Sequence, residues 1–163
     1  MNRAVTHAGG KLPPIEELLP HRGTMLLLDR ATEYESSRLV AEYSPRPGAW
    51  YADASGNMPG WMGIELMAQA VAAHVAMNKR QAGLNPKMGA LLGTRSYQIS
   101  PRLAGSFAAG RLLRIRVQEE FRDDSGLAAY DCSIVQNGET LATSMLKIYE
   151  PEDFELFVKG GAL

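Results

Sequence analysis

The longest apolar pattern in the chain runs from Trp61 to about Arg80, where Leu66, Met67, Ala70, Val71, Val75 and Met77 recur at helical spacing. Apolar residues cover nearly the whole circumference, which predicts a helix enclosed on most sides by the rest of the protein. Pro59-Gly60 marks its start, and Lys79 and Arg80 suit its last turn, with Gly83 beyond as a cap. The rest of the pattern is strand-like. Thr24 to Tyr34 (TMLLLDRATEY) reads as a buried strand, and Ser37 to Tyr43 as its antiparallel neighbour. Ala90 to Ser100 is a third, stopped by Pro101. Arg111 to Gln118 alternates, with Leu113, Ile115 and Val117 opposite Arg114, Arg116 and Gln118. Asp123 to Gly126 turns the chain into Leu127 to Gln136, and the hairpin signal Asn137-Gly138 leads into Thr140 to Tyr149. Short helices are expected from Pro13 to Leu19 and from Pro151 to Val158. The tract holding Pro45, Pro47, Gly48, Gly56, Pro59 and Gly60 tolerates neither a helix nor a central strand.

One enclosed helix after two strands, followed by four more strands, predicts α+β layering, with an antiparallel sheet wrapped around the helix. Residues 1–11 read as a disordered lead and 12–163 as one domain, a length that buries a sizeable core. Such a sheet has open edges, so a dimer that extends it is expected.

Composition narrows the function classes. A net charge of −1 gives no overall attraction to nucleic acid or to an anionic membrane. The apolar helix is short for a bilayer and carries Glu65, Gln69 and His74; a charge at that depth costs about 3 kcal/mol in lipid. The first eleven residues lack an apolar signal core, so a cytoplasmic protein is expected. Cys132 is the only cysteine, which excludes an internal disulfide, and no Cys/His cluster has metal-ligand spacing. No metal and no cofactor are expected.

The candidate chemistry centres on Glu65. It is the only carboxylate between Ala54 and Gln118, a stretch that carries eight lysines and arginines. An acid one and a half turns into an apolar helix should be desolvated and its pKa raised, which suits a general acid or base. The competing structural reading pairs it with a buried arginine or has it cap a polar interface. Gln69, four residues on, shares its helix face and is placed to act on the same bound group. The helix start at Gly60-Trp61 offers backbone N–H groups and positive dipole to a carbonyl oxygen, and glycine lets a ligand approach.

Leu19 to Arg30 (LPHRGTMLLLDR) resembles the "LPHRxPxLLxDR" opening of FabZ-type 3-hydroxyacyl-ACP dehydratases, and Pro59 to Ala70 (PGWMGIELMAQA) resembles their "PGxLxxEAMAQ" helix. Trp50 to Gln69 is similar to the dehydratase-like proteins of aryl polyene biosynthesis clusters. The resemblance implies a hotdog fold and sites formed between two subunits, with histidine from one and acid from the other. It also implies that His21 is structural. The family's catalytic histidine sits fourteen residues before the helix glutamate, and here that position is Tyr51. Tyrosine, with a reference pKa near 10, is a poor base at neutral pH, though it can position a hydroxyl. His74 lies nine residues past Glu65, about 180° around the helix, and His7 belongs to the lead, so neither replaces the base. Asp53 is a further polar residue of this loop, where aspartates commonly shape turns.

The resemblance therefore implies a dehydratase-like protein acting on acyl thioesters, with Glu65 and Tyr51 as catalytic candidates and Gly60, Gln69 and Trp61 as substrate-binding ones. Acyl carrier protein is the expected carrier, and the second subunit is another copy or a histidine-bearing paralogue. A hotdog thioesterase using Glu65, or a non-catalytic subunit that binds acyl carrier protein, stays open as an alternative.

Overall fold

The protein's structure, a computed structural model, describes residues 11–160. The expected lead, apart from Lys11, and His7 within it lie outside the described residues. The first helix, α1, is the single turn Ile15–Leu18, shorter than Pro13 to Leu19 because Pro14 and Leu19 have extended backbone. Ile15 and Leu18 are buried. The strand expected over 24–34 is divided. Gly23, at φ +58°, opens a 3-10 turn over Gly23–Met25, and ladder pairing begins only at β1, Arg30–Glu35. The intervening backbone finds its hydrogen bonds elsewhere, on the side chain of Gln69.

β1 pairs with β2, Arg38–Tyr43. The two-residue β3, Met58–Pro59, pairs with a short β5, Ser106–Phe107, a ladder missed in the sequence because proline can hold only such a marginal edge position. The expected helix begins as a 3-10 turn, Gly60–Met62, and continues as α2, Gly63–Gln81. β4 is Ala90–Ile99, β6 Leu113–Arg122, β7 Leu127–Gln136 and β8 Glu139–Tyr149. Asn137 and Gly138, with φ of 50° and 81°, form the expected hairpin turn between β7 and β8. A last turn, α3 over Phe154–Val158, is capped by the Asp153 carboxylate, which accepts from Leu156 N at 3.0 Å.

The six long strands form one antiparallel sheet in the order β1-β2-β6-β7-β8-β4. This is the helix wrapped by antiparallel strands that the resemblance implies, a hotdog. Leu39, Ala41 and Tyr43 of β2 stand opposite Val117, Ile115 and Leu113 of β6, and all six are buried. Leu66, Met67, Ala70, Val71, Ala73 and Met77 of α2 are buried too, so the core lies between this helix and the sheet. Enclosure is incomplete along one line of the helix, where Trp61, Glu65, Ala68 and Ala72 keep accessible surface. β4 is covered least, and among the described residues its only ladder partner is β8, which leaves its outer edge unpaired there.

His74 faces away from Glu65, as its angular position requires, and is buried in a polar cluster. Tyr130 gives its proton to Glu119 at 2.6 Å, and its oxygen lies 2.9 Å from His74 Nδ1. Arg122 bonds both Glu119 and Tyr130. Burial pushes the His74 pKa below its usual 6.5, against the pull of Glu119 and of hydrogen bonds to the Glu35 and Ser36 carbonyls. In the unfolded chain the imidazole takes its proton near 6.5, in the fold only at lower pH. The stability from the neutral ring is therefore whole above pH 6.5 and is lost as pH falls through that value towards the folded pKa. Urea denaturation should show a midpoint that drops between pH 7 and pH 5 in the wild type and drops less in His74→Gln. Equal drops would remove His74 from the account.

Candidate functional site

The line of partial exposure on α2 opens into a cavity of about 480 Å³. Its walls come from α1 and the residues after it, from α2, from the segment leading into β4, and from the end of β8. Glu65, Ala68, Ala72 and Ala76 line it at intervals of three and four, so small side chains make room along one helix face. Leu18, Leu19, Val71, Val75, Met88 and Leu91 make the walls mostly apolar.

Glu65 stands at one end of this wall. Its side chain is 37% exposed, so the desolvation expected of an acid in an apolar helix is only partial in the single chain. The physical reason is the uncovered line of α2. No arginine pairs with it among the described residues. Oε1 accepts from Gln69 Nε2 at 2.9 Å and lies 3.7 Å from His21 Nε2, while Oε2 has no partner among the described residues. The ring's other nitrogen, His21 Nδ1, is buried without a hydrogen-bond partner. His21 was read as structural from its motif, yet the fold brings it to the carboxylate. Forty-four residues separate the two, and only the joint appearance of both motifs signals that they meet.

Gln69 is fully buried and saturated. Its oxygen accepts from Leu27 N at 3.0 Å, and its amino group donates to Met25 O at 2.7 Å as well as to Glu65. It lines the cavity, but the geometry makes it a clamp on Glu65 and on the 25–28 backbone rather than a free ligand for substrate.

The other expected site residues are not gathered here. Tyr51 is buried in the core, does not line the cavity, and has its hydroxyl against the Tyr43 hydroxyl and the Arg46 amide, the latter at 3.0 Å. Gly60 donates its N–H to Gly105 O at 2.7 Å, so the amide expected at a thioester carbonyl is already engaged. A Cβ on Gly60 would fall 2.8 Å from Ile99 Cδ1 and 2.9 Å from Gly105 O, which explains the glycine by packing. Gly63, which the sequence reading passed over, packs as tightly under the hydroxyl of Tyr97. Trp61 points outward, 61% exposed. Asp53 shapes its turn by accepting from Ser55 N and Asn57 N, both at 2.9 Å.

A family model for the ApeP-like proteins, described as ApeP dehydratase, matches residues 13–159. The chain belongs to the ApeP-like dehydratase family. No match was found among curated proteins. The ApeP-like chain superposes on the dehydratase heterocomplex ApeI:P from Xenorhabdus doucetiae with a TM-score of 0.83, at 24% identity over 91% of this chain and 98% of that one. A hypothetical thioesterase with coenzyme A from Streptococcus pneumoniae gives 0.58 at 12% identity, covering 74% of this chain and 84% of that one. The E. coli PaaI protein of the phenylacetic acid degradation operon gives 0.56 at 14%, covering 74% and 78%. At these identities the structural likenesses establish the hotdog fold, and the family match establishes the dehydratase-like role. No helix among the described residues of this ApeP-like chain is long and apolar enough to cross a membrane.

Removing the clamp has a readable consequence. Gln69→Ala leaves the buried Leu27 N–H without a partner, removes the donor to Met25 C=O and frees the Glu65 side chain. It should cost about 2–4 kcal/mol in denaturant unfolding, whereas Trp61→Ala, at an exposed position, should change stability by about 0.5 kcal/mol or less.

Proposed function

We propose that this chain is the acid-bearing member of a 3-hydroxyacyl-ACP dehydratase in fatty-acid or polyene-type biosynthesis, completed by a histidine-bearing paralogous subunit. The observation that carries the reading is Glu65, fixed by Gln69 at the end of an apolar cavity with Oε2 free. The cavity's apolar walls suit an acyl chain, whose burial contributes about 0.8 kcal/mol per methylene. In the elimination, a base removes the proton at C2, the C2–C3 double bond forms and the C3–O bond breaks. Glu65, protonated, gives its proton to the departing hydroxyl, which leaves as water. The step is redox-neutral and calls for no cofactor.

The family's catalytic histidine is absent from this chain, and the histidine that does lie beside Glu65, His21, comes from the opening motif instead. Tyr51 occupies the family position of the histidine and is held in the core. A second subunit supplies the missing group if it docks along the uncovered side of the sheet. The outer edge of β4 offers that side, with Leu91 and Leu92 left 42% and 44% exposed. A partner strand there would continue the sheet and cover apolar surface in one step. ApeI:P from Xenorhabdus doucetiae is a dehydratase heterocomplex, which supports a different second subunit over a second copy. Acyl carrier protein, being acidic, would meet Lys87, Arg95 or Arg111, none of which has an ion pair among the described residues. A cytoplasmic setting follows from that carrier.

A thioesterase is the second reading. The Glu65 side chain is 37% exposed and its Oε2 has no partner among the described residues, so it can activate water at a thioester carbonyl with nothing from a second subunit.

One assay separates the two: 3-hydroxyacyl-ACP with this chain, alone and with a FabZ-like paralogue, followed for enoyl product and for free acid. Dehydration is expected only in the mixture, and Glu65→Gln should lower it about 10²–10⁴-fold, while Tyr51→Phe in this chain leaves it within about twofold. Free acid from the chain alone, abolished by Glu65→Gln, would replace the dehydratase reading with hydrolysis. Full activity of Glu65→Gln in both assays would remove Glu65 from the chemistry.

A further inference from the structure

A thioester carbonyl that is to react needs a hydrogen-bond donor, and the donor expected from the sequence is spent. The Gly60 N–H donates to Gly105 O at 2.7 Å, and close packing on Ile99 and Gly105 holds that turn in place. Another donor faces Glu65 from the turn after α1. We propose that His21 is a further catalytic residue, whose Nε2–H hydrogen-bonds the thioester carbonyl oxygen beside Glu65. This rests on the acyl reading above, though not on the choice between dehydration and hydrolysis, since both polarise that carbonyl.

The two ring nitrogens of His21 have opposite surroundings. Nδ1 is buried without a hydrogen-bond partner. The side chain is nevertheless 29% exposed and lines the cavity with Glu65, so its open edge is the other one, where Nε2 lies 3.7 Å from Glu65 Oε1. A neutral imidazole carries its hydrogen on one nitrogen and accepts at the other. On Nδ1 that hydrogen would be a buried donor with no acceptor, which is costly, whereas on Nε2 it faces a carboxylate. A protonated ring carries hydrogen on both nitrogens, so Nε2 is a donor in either state. At 3.7 Å it is too far from Oε1 for a hydrogen bond, and its hydrogen is not committed within the chain.

Neighbouring contacts hold the ring where it is. Arg22 folds back to donate to the Leu19 and His21 carbonyls, at 2.6 and 2.7 Å, which fixes the turn that carries it. Gln69 ties Glu65 to the backbone at Met25, just beyond the same turn. The cavity's other charged groups are engaged elsewhere: Glu17 pairs with Arg80 and Glu150 with Arg122. Arg22 and Lys87 also line the cavity, but among the described residues neither pairs with Glu65.

In a 3-hydroxyacyl thioester the carbonyl on C1 and the hydroxyl on C3 are separated by a single carbon. Two adjacent groups can therefore hold both, His21 the carbonyl and Glu65 the hydroxyl. When the base of the second subunit takes the C2 proton, the electron pair spreads onto the carbonyl oxygen, where Nε2–H stabilises it. The pair then forms the C2–C3 double bond as the C3–O bond breaks, and the Glu65 proton leaves with the hydroxyl as water. In hydrolysis the same N–H meets the oxyanion formed when water adds to C1. His21 gives up no proton in either reaction.

The test uses the full chain and the amide analogue of a 3-hydroxyacyl pantetheine thioester, labelled with carbon-13 at C1. Infrared difference spectra should place the bound carbonyl band lower in the wild type than in His21→Phe. His21→Gln keeps a donor, and its band should fall between the two. In the enoyl and free-acid assay, His21→Phe should lower kcat about 10²–10³-fold while KM changes less than about threefold, and His21→Gln should recover part of the loss. Nitrogen-15 NMR of the wild type needs no variant to fold: hydrogen on Nε2 is expected, and a neutral ring with hydrogen on Nδ1 would overturn the proposal. An unmoved carbonyl band in His21→Phe would overturn it equally and leave the acyl reading standing. Failure of the ligand to bind the wild type would sink the acyl reading, and this proposal with it.

Discussion

The interaction on which the rest depends is the side-chain amide of Gln69. In a buried position an amide must satisfy one acceptor and two donors; here two of them are committed across more than forty residues of chain and the third to Glu65 one turn back. The backbone at 25–28 loses its chance to be a strand and becomes a strap held against α2. That strap carries the residues after α1 past the helix, and with them His21 to Glu65. Leu27 and Leu28 are buried by the same clamp. Fold and candidate chemistry therefore share one support, and the acid is oriented by a group that also holds the chain together.

The helix sits off-centre on its sheet. It packs mainly on β2, β6 and β7, less on β1 and β8, and least on β4 at the end of the sheet. Alanines at 68, 72 and 76 do not fill the difference, and α1 roofs the space instead of closing it. A larger residue at any of these positions would complete a well-packed core at the expense of the cavity. The unpaired edge of β4 belongs to the same asymmetry. Its side chains are exposed because the helix that would cover them lies further along the sheet.

Periodicity made the helix and five of the six long strands legible, since Leu113, Ile115 and Val117 or the Asn137-Gly138 turn signal their structure locally. The first strand failed where a side chain outbid strand pairing: TMLLLDRATEY has a strand's pattern, but Met25 and Leu27 bond to Gln69. Glu65 was legible as an isolated carboxylate, and its partial exposure was not, because hydrophobicity shows that a face is apolar without showing what covers it. Gly60 illustrates the same limit in reverse. Its place at a helix start suggested a ligand, whereas the close approach of Gly105 and Ile99 accounts for it. His21 and Glu150 reach the cavity through tertiary contacts alone, and no spacing in the sequence announces either.

The loop from Tyr51 to Gly60 bears on where the second reacting group comes from. In the FabZ type this loop delivers the base, so its mobility decides whether Tyr51 could swing to Glu65. Here the loop is tied down from within. Asp53 N donates to Asn57 O at 2.9 Å, Ser106 Oγ donates to Asp53, and Asn57 Oδ1 accepts from Ala109 N at 3.0 Å. Tyr51 itself is anchored by two partners, and burial pushes its phenolic partner Tyr43 well above the usual tyrosine range. Moving Tyr51 to the cavity would break the pair, empty a core position and leave the Arg46 amide without its acceptor. The cost of that rearrangement exceeds what a weak base would return. In the proposed dehydration the proton at C2 would then be taken by a group outside this loop, which leaves His21 within the chain or a residue brought by a second subunit. His21 lies on the Glu65 carboxylate itself, 3.7 Å from Oε1, whereas the proposed elimination needs acid and base on either side of a substrate carbon. A base approaching from across the β4 side has no such conflict.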